Sequence, residues 1–343
     1  NSLEKEGINI VNRGRDNTSL TQFKYSLSKQ VDAVHFNWIL RKASGDDFKN
    51  YFKTYKTMGW VKLLKSLGKK IIWTMHNKVP HRTANLSLVL KLRKFIIKNS
   101  DMIIIHCKES KNILKKYLSD HEMNNKVIYV PHGHYIDNYQ DECEDLRKNY
   151  NIEQDDFVYA FLGHVQPYKN IELIIKAFQE LNLPNSKLLI GGKPANDTFK
   201  EEINNIIDSK DVIFIPEFIP EDMIVKFFNT VNVMVLPFNK KSVLNSGSLF
   251  LSLSLKTPVI IPEIGSVQDI GKSKDFIFSY DYTSPNKHIK NLKEKMLFSY
   301  NLFKENQAKF SLLGKQACKY VENQNNWDEI AVKLRNEYYR MIK

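Results

Sequence analysis

Two short stretches place a glycine, a base and hydroxyl groups at spacings suited to holding an anion. The first is the apolar run Phe157-Val-Tyr-Ala-Phe-Leu-Gly163, which continues as His164-Val-Gln166-Pro-Tyr-Lys169 into a helix-like pattern. A glycine at that turn lets the backbone approach a ligand, and Lys169, with His164 and Gln166, can meet a diphosphate. The second is Leu236-Pro-Phe, a polar loop, then Asn245-Ser246-Gly247-Ser248 opening the apolar segment Leu249 to Leu255. Asn245 or Ser246 can cap a helix there, and the amides at Gly247 and Ser248 are then free for an anion at the positive end of the helix dipole. Each motif alone also has a plain structural reading, as a βα turn and as an N-cap.

Histidines form the other group. His35, His76, His106, His132 and His164 lie at or near the ends of apolar runs that read as strands, where ligand sites of α/β sheets gather. His76 and His81 are five apart in a loop, and no His-x-x-x-His pairs with a nearby carboxylate, so no metal ligand set is expected. The three cysteines, Cys107, Cys143 and Cys318, are scattered and contain no CxxC, which points to a reducing, cytoplasmic setting.

The elements that must position these residues alternate in type. In the second half, Phe157 to Leu162, Lys187 to Ile190, Val212 to Ile215, Val231 to Leu236, Pro258 to Ile261 and Phe276 to Ser279 read as buried parallel strands. Between them, Ile171, Ile174, Ala177 and Phe178 mark a helix face, as do Met223, Ile224, Phe227 and Phe228. The first half alternates in the same way, with Ile8 to Val11, Ala33 to Phe36, Lys70 to Thr74, Met102 to His106 and Val127 to Val130 as strands. A strand and glycine-rich turn are expected upstream of the numbering. The fold class is α/β with two Rossmann-like, doubly wound domains. The first spans 1–145 and is joined by a closing helix, 327–343; the second spans 150–326, and a polar, acid-rich stretch at Asp141 to Asp156 separates them.

Charge is uneven. The chain has 343 residues and a formal net charge of +13, and residues 48–100 alone hold 13 Lys and Arg with no acid. Within them, Phe48-Lys-Asn-Tyr-Phe-Lys-Thr-Tyr-Lys interleaves lysine with aromatics, as an interfacial helix does. An anionic membrane surface is one partner this suits; a solvated helix face is the other reading. No recognised nucleic-acid-binding module accompanies the charge, so no nucleic acid is expected. No apolar run approaches the roughly 20 residues of a membrane-spanning helix.

Together the motifs resemble the C-terminal domain of family 4 glycosyltransferases, whose fold is called GT-B. The family's phosphate loop reads G-R-x-x-x-x-K-G, and here Gly163, Lys169 and Asn170 take the first glycine, the lysine and the last glycine, with His164 in place of the arginine. Two family glutamates with seven residues between them, and a glycine before x-Pro-Val-Ile, fall on Val243, Leu251 and Lys256. In the first half, Ile71-Ile-Trp-Thr-Met-His76-Asn77 resembles a strand and loop that bring a histidine to the interdomain cleft in some members. Likewise Val130-Pro-His132-Gly133 resembles the strand terminus before the interdomain linker.

The resemblance implies two domains facing across a cleft and transfer of a sugar from a UDP- or GDP-sugar to a glycan or lipid-linked acceptor. The donor would lie on Gly163, His164, Gln166, Lys169, Ser246, Gly247 and Ser248, with the base held by backbone near Phe218 to Pro220. His76, Asn77 and His81 would be the acceptor-side and catalytic groups. No metal or other cofactor is implied, and retention of anomeric configuration is favoured over inversion. The place of work is the cytoplasm, peripherally at the inner face of a membrane. The alternatives are a sugar-nucleotide epimerase on the same fold and a non-enzymatic polybasic protein that binds membrane or nucleic acid.

Overall fold

The computed structural model describes residues 2–11, 19–45, 47–80, 83–139, 143–271 and 274–343. They divide into two units. The first is Asn1–His132 with Lys241–Asn245 and Asn326–Lys343; the second is Gly133–Lys240 with Ser246–Asn325.

The first unit is built on four parallel strands in sequential order, β1 (Ala33–Phe36), β2 (Lys70–Met75), β3 (Met102–Ile105) and β4 (Val127–Tyr129). Its helices are α1 (Ser2–Lys5), α2 (Ser19–Ser26), α3 (Phe48–Ser66), α4 (Leu86–Asn99), α5 (Glu109–Leu114) and α6 (Asp120–Lys126). One sheet face packs on α3 and α4 through Trp73, Met75, Leu64, Leu92 and Ile96, all fully buried. The other face, Ile72, Met102, Ile104, Ile128 and Val130, is covered by Ile330 and Tyr338 of the C-terminal helix Trp327–Ile342.

Two expectations change here. Ile8 to Val11 is no strand: the segment follows Gly7, whose φ is +77°, and Ile8 packs irregularly against the face covered by the C-terminal helix. The division between units falls after His132, not within 141–156. The reason is that Arg147 is buried in the second unit, donating to the carbonyls of Glu153 (2.5 Å), Asp156 (3.2 Å) and Thr230 (3.2 Å), while Leu146 N–H donates to Thr230 Oγ1 at 2.7 Å.

The second unit is a six-stranded parallel sheet, ordered β10-β9-β8-β5-β6-β7. Its strands are β5 (Phe157–Leu162), β6 (Ser186–Gly191), β7 (Val212–Ile215), β8 (Val233–Val235), β9 (Val259–Pro262) and β10 (Ile277–Tyr280). The helices are α7 (Ile171–Leu181), α8 (Asp197–Ile206), α9 (Ile224–Thr230), α10 (Gly247–Ser254), α11 (Gly265–Ile270), α12 (Pro285–Glu305) and α13 (Gln307–Gln324). All six side chains of β5 are buried, as an unbroken apolar run in a sheet covered on both faces requires. Phe157 anchors an aromatic cluster with Tyr159, Tyr300, Phe303 and Phe310, ring centroids 4.8–5.8 Å away. The strand order reverses at β5, which has β6 on one side and β8 on the other. Ligands of doubly wound sheets bind at the carboxyl ends of the strands beside such a reversal.

Candidate functional site

The carboxyl ends of β5 and β8 carry both sequence motifs of the second unit. After Leu162 the chain turns at Gly163, with φ +129°, and runs beside the end of β6: Gly163 N–H donates to Gly191 O at 2.9 Å and Val165 N–H to Lys193 O at 3.0 Å. Gly192 makes this approach possible. Its φ is +145°, and a Cβ there would lie 2.1 Å from the Gly163 carbonyl oxygen. Sequence reasoning passed over Gly192; the signal was the Gly191-Gly192 pair at the end of a strand.

A short 3-10 turn, Pro167–Lys169, then leads through Asn170 into α7. Asn170 holds the left-handed conformation (φ 54°) at the position where the resembling loops have glycine, and asparagine adopts it at small cost. Its side-chain amide donates to Pro237 O at 2.6 Å, and Asn239 N–H donates to Tyr168 O at 3.3 Å. Tyr282 secures the far side of that loop: its hydroxyl donates to Phe238 O (3.2 Å) and accepts from Lys240 N–H (3.1 Å). The two strand ends are thus tied to each other.

Lys169 sits between them. Its ammonium lies 5.2 Å from the centre of the Phe161 ring and 5.9 Å from that of Phe238, 3.2 Å from where a Cβ on Gly163 would stand, and that same point is 4.0 Å from Ser248 Oγ. No ion pair to Lys169 is seen among the described residues. Loss of water around it pulls its pKa from 10.5 down to about 8. A half-buried cation facing aromatic rings and no carboxylate is set to receive an anion.

The N-terminus of α10 faces the same place. Ser246 is the N-cap and its hydroxyl accepts from Leu249 N–H at 3.2 Å, so the hydroxyl is committed to the helix. Gly247 and Ser248 lie in the first turn, where amides have no carbonyl a turn earlier to bond. Of the expected ligands, Gly163, Lys169 and Ser248 come together; Gln166 is half-buried in the turn, and His164 is exposed to solvent. Leu251, at one of the two family glutamate positions, lies in α10 and carries no polar group. Lys256 takes the left-handed conformation (φ 57°) at the position of the family glycine, ending α10 in a Schellman motif: Thr257 N–H donates to Ser252 O at 2.9 Å and Lys256 N–H to Leu253 O at 3.3 Å.

The first unit gathers histidines at its own sheet edge. His35 lies in β1, and His76, His106 and His132 follow β2, β3 and β4. The His76 ring stacks on Trp38 at 4.2 Å and 12°, and stands 5.4 Å from His106, which is 6.2 Å from His132. His76 Nε2–H donates to Asn37 Oδ1 at 3.1 Å, leaving Nδ1 as the acceptor; His106 Nδ1–H donates to Val130 O at 2.9 Å. Desolvation, then the neighbouring His106, His35, His132 and Arg41, lowers the His76 pKa to about 3, so the ring is neutral at physiological pH. Arg41 lies over Trp38 at 4.6 Å, and Asn37, Trp38, Arg41, Thr74, His76 and Asn77 line one concavity.

Asn77 is held by an antiparallel bridge to Val243, and Lys78 N–H donates to Ser242 O at 3.0 Å, which is why residues 241–245 belong to this unit. Val243 is the other family glutamate position, so that residue serves here as backbone support. His81 lies outside the described residues. Asn37, Trp38 and Arg41 were not expected from sequence, because nothing in Asn37-Trp38-Ile-Leu-Arg41 sets it apart from an ordinary strand-to-helix turn. Among the described residues no group of three or more His, Cys, Asp or Glu is placed to hold a metal ion.

Comparison with known proteins bears on both units. Residues 142–295 match the family of glycosyl transferases group 1. A GDP-mannose:glycolipid 4-beta-D-mannosyltransferase of Xanthomonas campestris pv. campestris is 25% identical over 162 residues, 45% of this chain and 43% of the relative; a second protein of that name is 26% identical over 138 residues. The match thus spans less than half the length of these relatives. Among solved structures, sucrose-phosphate synthase from Thermosynechococcus elongatus superposes with a TM-score of 0.69 at 16% identity, covering 96% of this chain and 81% of that one. Anabaena HepE in complex with UDP and glucose superposes with a TM-score of 0.71 at 11% identity, covering 93% and 80%. These likenesses establish the GT-B fold.

Proposed function

We propose that this GT-B chain, whose second unit carries a glycosyl transferases group 1 domain, moves a sugar from a UDP- or GDP-sugar to a glycan or lipid-linked acceptor in the building of a surface polysaccharide. The observation that carries the reading is the Lys169 ammonium, desolvated, facing Gly163 and the N-terminus of α10 at the strand-order reversal. The donor diphosphate lies there, across the Gly163 turn and the first-turn amides Gly247 and Ser248. When the bond from the anomeric carbon to the phosphate oxygen breaks, negative charge grows on the diphosphate, and these groups are already oriented toward it. The reading needs no metal, and turnover should persist in EDTA. His164, being exposed, is a contact to the outer edge of the nucleotide at most.

His76 and Asn77 are the acceptor-side groups of the reading. An imidazole with a pKa of about 3 is a poor general base at neutral pH, so His76 orients a hydroxyl through Nδ1 and does not take its proton. That favours retention, the acceptor proton passing to the departing phosphate oxygen as the acceptor oxygen bonds the anomeric carbon. The Xanthomonas relatives are described as acting on GDP-mannose and a glycolipid, and the HepE structure contains UDP, so both nucleotides belong in the test. The setting proposed is the cytoplasm, at the inner face of a membrane.

The experiment is a thermal-shift panel of UDP, GDP and their sugars, followed by turnover of the stabilising donor with saccharide acceptors and NMR of the product anomer. A ligand that binds only the folded chain raises its melting point. Stabilisation by one nucleotide and a new glycosidic bond support the reading. Conversion of donor to an epimer without acceptor, or no shift with any nucleotide, overturns it.

A further inference from the structure

Helix α3 is built inside out. Its buried stripe is Thr54, Thr57, Val61 and Leu64. The two threonines satisfy their hydroxyls on the carbonyls four residues back, Asn50 O and Lys53 O, at 2.7 Å each. At about 100° per residue, Phe48, Phe52 and Tyr55 fall on the opposite side, and they are 85%, 61% and 50% exposed. A helix that only capped a core would place these the other way round.

The exposed face continues onto α4. Tyr51 Oη accepts from the Asn85 side-chain amide at 2.6 Å, and Lys91 Nζ donates to Tyr55 Oη at 2.7 Å while lying 4.8 Å over its ring. Leu86 and Leu90 of α4, and Leu63 of α3, are exposed beside them. Lys49, Lys53, Lys56 and Lys62 flank the aromatics on α3, and Lys94 and Lys98 join Lys91 on α4, all exposed. Among the described residues of α3, α4 and their caps, acids occur only at the borders: Asp47 caps α3 and Asp101 pairs with Lys65 at 3.1 Å.

From this face we infer a docking surface for an anionic lipid bilayer, with Phe48, Phe52 and Tyr55 entering the headgroup layer and the lysines lying against the lipid phosphates. The inference deepens the lipid-linked acceptor reading by naming the surface that brings the chain to such an acceptor. No helix of the described residues is long and apolar enough to cross a membrane, so contact of this kind is lateral. Charge selects the partner: a second copy would set lysine against lysine. The exposed leucines favour lipid over nucleic acid, since bases stack on aromatic rings and gain little from an aliphatic edge.

The test is co-sedimentation of the whole chain with phosphatidylcholine vesicles, with and without phosphatidylglycerol. Binding is expected only to the anionic vesicles and should weaken as salt rises. K49Q/K53Q/K56Q should lower the partition coefficient roughly a hundredfold and F48S/F52S at least roughly tenfold. Both variants replace exposed groups, so melting points should match the parent. Nucleotide-induced thermal shifts should be unchanged, which separates failure of the surface from failure of the transferase reading. Equal binding to neutral and anionic vesicles, no binding to either, unaltered binding by both variants, or retention of a polynucleotide in place of vesicles overturns the inference.

Discussion

Replacing Lys169 with methionine should make the unliganded protein more stable while removing its response to nucleotides. The ammonium is held at a pKa of about 8 where free lysine has 10.5, so the folded chain carries it at a cost of about 3 kcal/mol as a cation. The Phe161 and Phe238 rings are not part of that figure and return about 0.5–1 kcal/mol each. The net gain on removing the charge is therefore about 1–2 kcal/mol, and methionine, unbranched and one heavy atom shorter, packs on the same rings. For a unit of this size that is roughly 3–6 °C in melting temperature. Below pH 8 both folded and unfolded chains hold the proton and the full penalty applies. Between pH 8 and 10.5 the unfolded chain binds more protons than the folded one, so parental stability rises with pH and the advantage of K169M shrinks. Differential scanning calorimetry at pH 7 and pH 9.5, with and without UDP and GDP, measures all of this. The parent's nucleotide affinity should itself fall as pH rises through about 8. If K169M melts below the parent at pH 7, or keeps the nucleotide-induced shift, the burial argument or the donor assignment is wrong.

Other substitutions test other joints. Lys256→Gly should stabilise the second unit by about 0.5–1 kcal/mol in chemical denaturation without altering turnover, because a left-handed lysine costs about 1–2 kcal/mol and glycine's extra unfolded-state entropy takes part of that back. Gly192→Ala should cost at least about 3 kcal/mol in the same assay and weaken nucleotide binding, since its Cβ would displace the Gly163 carbonyl. His76→Gln should lower kcat/KM without removing an ionisation near pH 6.5; an acid limb at that pH in the parent that vanishes in the variant would make His76 a base after all.

The fold of the second unit was legible because its strands are unbroken apolar runs, and β5 to β10 fall within a residue or two of the runs read for them. Gly163 and Lys169 were legible because a turn brings them together over a short stretch of chain. Residues 241–245 were not, since their antiparallel bridge to Asn77 joins segments far apart in sequence and leaves no local pattern. Ile8 to Val11 misled for the opposite reason: Ile8 serves a sheet face through irregular packing while Val11 is exposed, and an apolar run alone does not separate that from strand pairing. In α3 the same ambiguity concealed which face is inner, because threonine can line a core when a backbone carbonyl takes its hydroxyl. Two of the left-handed residues, Asn170 and Lys256, occupy positions where the resembling family has glycine, so the backbone path persists after the residue that made it easy is gone.

The C-terminal helix has a consequence for how the chain is made. Ile72, Met102, Ile104, Ile128 and Val130 form an apolar sheet face whose cover, Ile330 and Tyr338, is synthesised some two hundred residues later. A ribosome therefore exposes the first unit's bare sheet throughout synthesis of the second, which lies wholly within Gly133–Asn325 and can close first. Folding order is then the reverse of chain order. The emerging sheet face is where a chaperone would bind, and a chain halted before residue 326 would keep it uncovered.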